Sequence, residues 1–257
     1  MMRPRLLVAA MLSLAAPLAL GDIDTTAALA RSQAAIGTTP TEHAFVTASG
    51  KTKRLSDWRG KPLVVSFVYT SCPAVCPTVT ANLKRATDVA VSVLGSGAFD
   101  VATIGFDTEH DTPARMASYA RERGIDAPNW WFLAADADTI AALTNELGFT
   151  FAVAGGGFEH MTQVTILDAQ GRIYRQIYGD DVPAPALVEP LKQLAVGESF
   201  AAPTLASVLD GVRLICSVYD PATGRYRFNY AIVTTVIAGA LSLGGLGIFV
   251  LRLWRTS

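Results

Sequence analysis

Between residues 44 and 179 the chain alternates short apolar runs with amphipathic stretches, a pattern typical of a sheet covered by helices. Apolar runs with little polar alternation predict strands buried on both faces, at residues 62–69, 99–106 and 129–135. Stretches with apolar residues at helical spacing predict the helices that follow these strands, at residues 78–94, 112–124 and 136–148.

Two further segments, residues 44–55 and 161–179, predict hairpins because strand-like residues flank turn residues in each. Alternating strands and helices followed by a closing hairpin predict an α/β fold with a mostly parallel central sheet, an antiparallel edge and helices on both sides. The thioredoxin-like fold matches this order best. We expect residues 37–200 to form it as one domain.

The first 21 residues have the pattern of a secretory signal peptide. Arg3 and Arg5 precede an apolar stretch from Leu6 to Leu20, and small residues stand at the spacing of a cleavage site. Roughly 15 apolar residues fall short of the about 20 that cross a bilayer as a helix. Export with cleavage is therefore favoured over a permanent N-terminal anchor.

The other end of the chain predicts a membrane anchor. Residues 230–251 carry no charge and are long enough to span a bilayer, so we expect a stalk at 201–229, a transmembrane helix at 230–251 and a cytoplasmic tail at 252–257. The stalk pattern is amphipathic and ends in a Pro-Ala-Thr-Gly turn. With the signal peptide setting the orientation, the domain is expected on the exported, periplasmic side of a bacterial-type cell membrane, held by a single pass.

Composition argues against nucleic-acid binding. Among 257 residues, 21 Lys and Arg nearly balance 22 Asp and Glu, and no basic run or basic-aromatic stripe appears. About half of the chain is hydrophobic, which suffices for one packed domain and targeting segments. Candidate chemistry therefore rests on three cysteines and three histidines.

Cys72 and Cys76 form the main chemical motif, SCPAVCP, where a buried strand gives way to a helix. Ligands and reactive groups collect at this edge of a parallel sheet, and helix N–H groups stabilise thiolates there. The exported compartment is oxidising, yet a disulfide across so short a loop adds little stability. The C-x3-C spacing is one residue wider than that of common thiol oxidoreductases. A metal clamp, a redox pair and a structural bridge all stay open at this point.

His160 is the histidine best placed to join the two cysteines, because it follows a Gly-Gly-Gly run and precedes a strand that faces the cysteine loop in a thioredoxin-like fold. His110 lies in a polar run and is expected at the surface, and His43 is expected in solvent. Two thiolates and an imidazole suit copper, above all Cu(I), and also accept Cu(II) or Zn(II). Structural zinc sites use four protein ligands, so copper is favoured.

Three segments, GKPLVVSFVYTSCPAVCP, DTEHDTPARMASYA and HMTQVTILDAQGRI, resemble in this order the Sco/SenC copper chaperones. These are membrane-tethered thioredoxin-like proteins that help assemble the binuclear copper centre of cytochrome c oxidase. The resemblance covers residues 44–194 and implies Cys72, Cys76 and His160 as the copper ligands. It also implies Asp107 as a group beside them, with a helix cap or turn as an equal alternative.

Two features depart from the family pattern. Ala74 stands where many members have an acidic residue, which leaves copper affinity and thiol pKa open. The anchor is predicted at the C-terminus, whereas many members carry it at the N-terminus.

The sequence therefore predicts a membrane-anchored metallochaperone that delivers copper to the oxidase. Its expected partners are the copper-centre subunit and other copper chaperones or thiol reductants. Enzyme activity stays open, because the same cysteine pair suits a thiol-disulfide oxidoreductase or a redox sensor acting on oxidase cysteines. A scaffold that only holds oxidase subunits is a third alternative. Cys216 is expected to be buried and inert rather than to pair between chains.

Overall fold

The computed structural model describes residues 23–201, 214, 216–221, 223–231, 234–235, 238–245 and 254. The predicted signal peptide lies outside these residues. The helices are α1 Thr25–Ala35, α2 Val75–Leu94, α3 Pro113–Glu122, α4 Ala137–Glu146 and α5 Ala184–Ala201. The strands are β1 Ala44–Thr47, β2 Thr52–Arg54, β3 Leu63–Val68, β4 Asp100–Gly105, β5 Trp130–Ala134, β6 Phe151–Ala154, β7 Gly157–His160, β8 Gln163–Leu167, β9 Ile173–Tyr178, β10 Ser217–Asp220 and β11 Arg225–Phe228.

Seven strands form the central sheet, in the order β2-β1-β5-β4-β3-β8-β9. Only β3, β4 and β5 pair in parallel, and every other neighbouring pair in this sheet is antiparallel. The expectation of a mostly parallel sheet is therefore wrong, and the sheet is mixed. The reason lies in the connections. Parallel neighbours need long crossovers, which α2 and α3 supply, whereas short turns join β1 to β2 and β8 to β9.

The centre of the sheet is covered on both faces, as the apolar runs predict. All six residues of β3 and all six of β4 are buried. The covering helices each insert a side chain with at most 1% exposure into the core, namely Leu83, Met116, Leu143 and Leu187. Burying one such side chain contributes about 1.5–3 kcal/mol.

Two helices begin at residues whose side chains cap them. Thr112 accepts a hydrogen bond from the Arg115 N–H at the start of α3, and Asp136 accepts one from the Thr139 N–H at the start of α4. Helix α2 begins at Val75 rather than at residue 78, so Cys76 lies in its first turn.

Helix α5 was not predicted, and neither were two further parts of the domain. Helix α1 precedes residue 37 and packs beside β9, with the Ser32 hydroxyl hydrogen-bonded to Gln163 Oε1 and to Tyr178 Oη. The packed domain therefore includes residues before Gly37. Strands β6 and β7 form a small hairpin where a loop is expected, and Gly155 and Gly156 make its turn with φ of 56° and 85°.

The chain after α5 differs from the expected amphipathic stalk. Residues 217–228 form a β-hairpin, β10–β11, around the predicted Pro-Ala-Thr-Gly turn, and Cys216 beside it is buried as predicted. The amphipathic pattern at residues 205–213 lies outside the described residues. Described residues within 230–245 are helical. Searched over the described positions alone, the chain contains no helix long and apolar enough to cross a membrane.

Candidate metal site

Cys72 and Cys76 meet at the N-terminus of α2. After β3 the chain turns, and the Cys72 N–H donates to the Tyr69 carbonyl over 3.1 Å. Ala74 is the N-cap residue and offers no side-chain acceptor. The Cys76 N–H instead donates to Cys72 Sγ over 3.3 Å. The Cys72 sulfur thus replaces a capping oxygen, and the helix dipole favours its thiolate form.

The two thiols differ in acidity. Burial opposes ionisation of Cys72, but hydrogen bonds from the Cys76 and Ala74 N–H groups and from the Tyr69 hydroxyl outweigh it, so its pKa lies below the usual value. Burial raises the pKa of Cys76 to about 12, and the neighbouring Cys72 adds to this increase. Both thiols are free. Cys72 is accordingly the first to ionise, while Cys76 is expected to lose its proton only when a cation replaces it.

His160 faces the cysteines from the end of β7. Its Nε2 lies 3.9 Å from Cys76 Sγ. Sulfur and nitrogen ligands that share one ion, at about 2.3 Å and 2.0 Å as for zinc, stand about 3.5–4 Å apart, so this separation suits a shared ion. Gly157 lets strand β7 lie close to Tyr69, because a Cβ on residue 157 would lie 3.3 Å from Tyr69 Oη. The predicted meeting of His160 and the cysteine loop is therefore observed, with a strand rather than a loop carrying the histidine.

Cys72, the third candidate ligand, interacts with the side chain of Cys76. Among the described residues, no three His, Cys, Asp or Glu side chains already surround one point as metal ligands. Cys76 Sγ lies 3.9 Å from His160 Nε2, and Cys72 Sγ accepts from the Cys76 N–H. The ligand set of Cys72, Cys76 and His160 stays a prediction.

Aromatic rings surround the His160 imidazole. The ring centres of Phe106, Phe149 and Tyr69 lie 5.6, 5.7 and 6.1 Å from it. Burial lowers the pKa of His160, and the nearby Met161 backbone only partly opposes this effect. Nδ1 is buried and has no hydrogen-bond partner of adequate geometry. The imidazole is therefore neutral near pH 7, which is the form that binds metal ions.

Asp107 hydrogen-bonds within its own turn. Its Oδ2 lies 2.9 Å from His110 Nδ1, and its carbonyl accepts from the His110 and Asp111 N–H groups. These bonds fit the turn alternative, and a role for Asp107 beside the ligands stays a prediction. His110 is exposed, as predicted.

Asp111 is an additional site residue that was not predicted. Its buried carboxylate accepts from the Thr70 N–H at 2.8 Å and from the Asp107 N–H at 3.0 Å. Burial raises its pKa although these bonds oppose the shift. Asp111 therefore connects the cysteine loop to the β4–α3 connection. In the sequence Asp111 is one of several polar residues ahead of a helix, so the sequence gives no sign of this role.

His43 is buried rather than solvated, so that prediction is wrong. It is 7% exposed, and its Nε2 lies 2.8 Å from Glu146 Oε2. The Thr41 hydroxyl donates to the other oxygen of the same carboxylate over 2.6 Å. Glu146 comes 103 residues later, so the local sequence around His43 carries no sign of this partner.

The model of the SCO1/SenC family matches residues 31–195, which is more than half of the chain. The chain belongs to the SCO1/SenC family. The SCO1 protein homolog of Bacillus subtilis (strain 168) is 30% identical over 91 residues, which make up 35% of this chain and 45% of that protein. The match thus spans less than half the length of that relative.

Solved structures are similar over the same SCO1/SenC domain. A protein of Aquifex aeolicus VF5 is 30% identical with a TM-score of 0.56, over 61% of this chain and 92% of that chain. ScoI of Bradyrhizobium japonicum, solved with copper bound, is 23% identical with a TM-score of 0.52, over 61% of this chain and 99% of that chain. The latter similarity shows that the fold is shared.

Proposed function

We propose that this SCO1/SenC protein is a membrane-anchored assembly factor that binds copper and delivers it to the binuclear copper centre of cytochrome c oxidase. The observation that carries the proposal is the 3.9 Å contact between Cys76 Sγ and His160 Nε2, beside the Cys72 sulfur. Copper in a family member of the same fold and the family resemblance support the choice of ion and acceptor. Residues 230–251 would supply the anchor.

Each ligand has a distinct part in loading the ion. Cys72, the more acidic thiol, binds copper first as a thiolate. Cys76 then releases its proton to solvent as its sulfur binds, and neutral His160 completes the set through Nε2. Two thiolates and an imidazole form a soft donor set that suits Cu(I) and also accepts Cu(II).

Delivery requires that an acceptor ligand binds before the donor ligands leave. Three protein ligands leave one side of the ion open to an incoming cysteine or histidine of the oxidase subunit. The acceptor thiols give up their protons as they bind, and Cys72 and Cys76 take up protons as they dissociate. Copper and the ligands keep their oxidation states in this exchange.

Metal analysis of the purified full chain tests the site. We expect about one copper per chain, and we expect Cys72→Ser, Cys76→Ser and His160→Ala each to lower copper affinity by about 100-fold or more. Cys216→Ser and His110→Ala are matched controls and should leave affinity unchanged. Full affinity in the His160→Ala protein would reject the proposed ligand set.

A thiol-disulfide oxidoreductase or redox sensor is the second candidate, favoured by the Cys76 N–H that stabilises a Cys72 thiolate. In this reaction Cys72 attacks a disulfide of the oxidase subunit, and a partner thiolate leaves. Cys76 then loses its proton and attacks Cys72, which releases the second partner thiolate and leaves a Cys72–Cys76 disulfide. The partner gains two electrons, and an external thiol must reduce the pair again.

The two candidates differ in their need for His160. Thiol exchange requires both cysteines but no imidazole, so the His160→Ala protein should reduce a mixed disulfide at the wild-type rate. Copper delivery fails in that protein. An oxidase that still matures in cells carrying only His160→Ala would therefore favour the exchange function.

A further inference from the structure

The hairpin at residues 217–228 is fixed to the SCO1/SenC domain through Lys192 of α5. Lys192 is 7% exposed, and its Nζ donates to the Ser217 carbonyl over 2.6 Å. The same Nζ lies 3.4 Å from Glu189 Oε1 and 5.1 Å from the centre of the Tyr226 ring. The Tyr226 hydroxyl donates to that Glu189 oxygen over 2.7 Å. A buried ammonium group requires such partners, and the hairpin supplies two of the three.

The hairpin continues into the helical residues without a linker. The Asn229 N–H donates to the Cys216 carbonyl over 2.8 Å, which extends the hairpin past its last strand pair. The Asn229 side chain accepts from the Ala231 N–H over 3.0 Å and so caps the helix that begins at Tyr230. One residue thus belongs to both elements, and the hairpin sets the direction in which the helix starts.

The other contact of the hairpin is with the helix that carries a candidate ligand. Strand β11 contacts α2, and α2 holds Cys76 in its first turn. Helix α2 also packs against α5, which bears Lys192. The hairpin, α5 and α2 therefore form one packed unit that extends from the start of the predicted span to the candidate site.

The hairpin and the residues after it carry exposed groups typical of a membrane interface. Phe228 and Tyr230 are exposed and pack edge to face with ring centres 5.0 Å apart. They stand where the uncharged segment 230–251 begins, and aromatic residues are enriched at this position of membrane proteins. Arg225 is exposed on the same hairpin and matches anionic headgroups in charge.

We propose that the hairpin at 217–228 is a rigid joint that holds the SCO1/SenC domain in one orientation against the membrane surface. Lys192 fixes the joint to the domain, and Arg225, Phe228 and Tyr230 contact lipid headgroups. The inference rests on the membrane anchoring in the proposed function but not on copper. Together with the proposed copper delivery, it implies that the acceptor presents its site at a fixed height above the same bilayer.

Hydrogen–deuterium exchange of the full chain in lipid nanodiscs tests the joint. In discs of phosphatidylethanolamine and phosphatidylglycerol, the amides of 217–228 should be protected, and Lys192→Met should speed their exchange by about tenfold or more. Lys84→Met, which removes a lysine at a surface site of α2, should leave this exchange unchanged. Wild-type exchange rates in the Lys192→Met protein, or a chain that does not copurify with the discs, would overturn the inference.

The lipid contact is tested by a change of headgroup. With phosphatidylcholine in place of phosphatidylglycerol, residues 225–230 should exchange several-fold faster in the wild-type chain. Arg225→Glu should abolish this difference, and Arg115→Glu should preserve it. Equal exchange of the wild-type chain in the two lipids would overturn the headgroup contact.

Copper analysis of the same samples separates the joint from the copper site. Lys192→Met should still bind about one copper per chain. A protected hairpin in a chain that binds no copper would refute the proposed copper function and leave the joint supported. An unprotected hairpin in a chain that binds copper would refute the joint alone.

Discussion

Two histidines in this domain, the buried His43 and the half-buried His160, have opposite surroundings. His43 lies 2.8 Å from the Glu146 carboxylate, which the Thr41 hydroxyl also contacts. His160 lies among aromatic rings, its Nδ1 has no hydrogen-bond partner of adequate geometry, and its Nε2 lies 3.9 Å from Cys76 Sγ. Burial alone therefore does not identify a metal ligand. Glu146 accounts for the position of His43, whereas the contact of Nε2 with the Cys76 thiol makes His160 the candidate ligand.

The largest expected effect is on stability, from truncation of His43. His43→Ala should lower the free energy of unfolding of the metal-free protein by about 2–3 kcal/mol, because it leaves a void and removes a partner of Glu146. His160→Phe should change it by less than about 1 kcal/mol, because a phenyl ring suits the aromatic surroundings and removes an unpartnered nitrogen. Denaturant unfolding followed by tryptophan fluorescence measures both.

Copper binding should distinguish the same two proteins in the opposite way, with the larger loss in His160→Phe. His43→Ala should bind copper as the wild type does at a temperature where it is folded, whereas His160→Phe should lose binding. Equal losses of copper in both variants would remove the distinction between the two histidines.

A smaller effect is expected from pH. Burial lowers the pKa of His160 in the folded state below its ordinary 6.5, so the unfolded chain binds more protons and stability falls as the pH decreases below about 6.5. The slope for one group is at most about 1.4 kcal/mol per pH unit. Unfolding of the metal-free protein at a series of pH values should show this slope, and His160→Phe should remove it.

The His43 region should respond at lower pH. Burial works against ionisation of Glu146, but hydrogen bonds from Thr41 and His43 outweigh it and lower its pKa below the ordinary 4.5. Its contribution is therefore present above pH 4.5 and is lost as the pH falls through the folded-state value. A slope near pH 6 that persists in His160→Phe would contradict the assignment to His160.

The smallest effect is expected from Glu146→Gln, which keeps the shape of the side chain but removes its charge. The free energy of unfolding at pH 7 should fall by about 0.5–1 kcal/mol, since a neutral amide still accepts from Thr41. Copper affinity should not change. A loss as large as that of His43→Ala would show that the charge, rather than the packing of the imidazole, dominates this region.

Features encoded by short segments were predictable from the sequence. The apolar runs predict β3, β4 and β5, and apolar residues at helical spacing predict the helices between them. The strand-to-helix junction places Cys72 and Cys76 correctly. His160 was predictable because the fold brings its strand to that junction. The sheet order was not predictable, because a short antiparallel strand such as β1 has the same local pattern beside any neighbour.

Features that depend on contacts between residues far apart in sequence could not be predicted. His43 and Glu146 are far apart in sequence, and Asp111 resembles an ordinary residue ahead of a helix. The hairpin at 217–228 was also missed, because the helical pattern before it suggested a stalk. Its contact with Lys192 depends on packing rather than on sequence pattern.

Gly105, the last residue of β4, leaves room for Asp111, which holds the loop that carries Cys72. A Cβ on Gly105 would lie 2.4 Å from the Cβ of Asp111 and 2.9 Å from Met116 Sδ. Any larger residue there would displace the Asp111 carboxylate and with it the Thr70 N–H that starts the cysteine loop. Gly105 has no chemistry of its own, yet a single added methyl group there would displace Asp111 and so disturb the loop that carries Cys72 without contacting either cysteine.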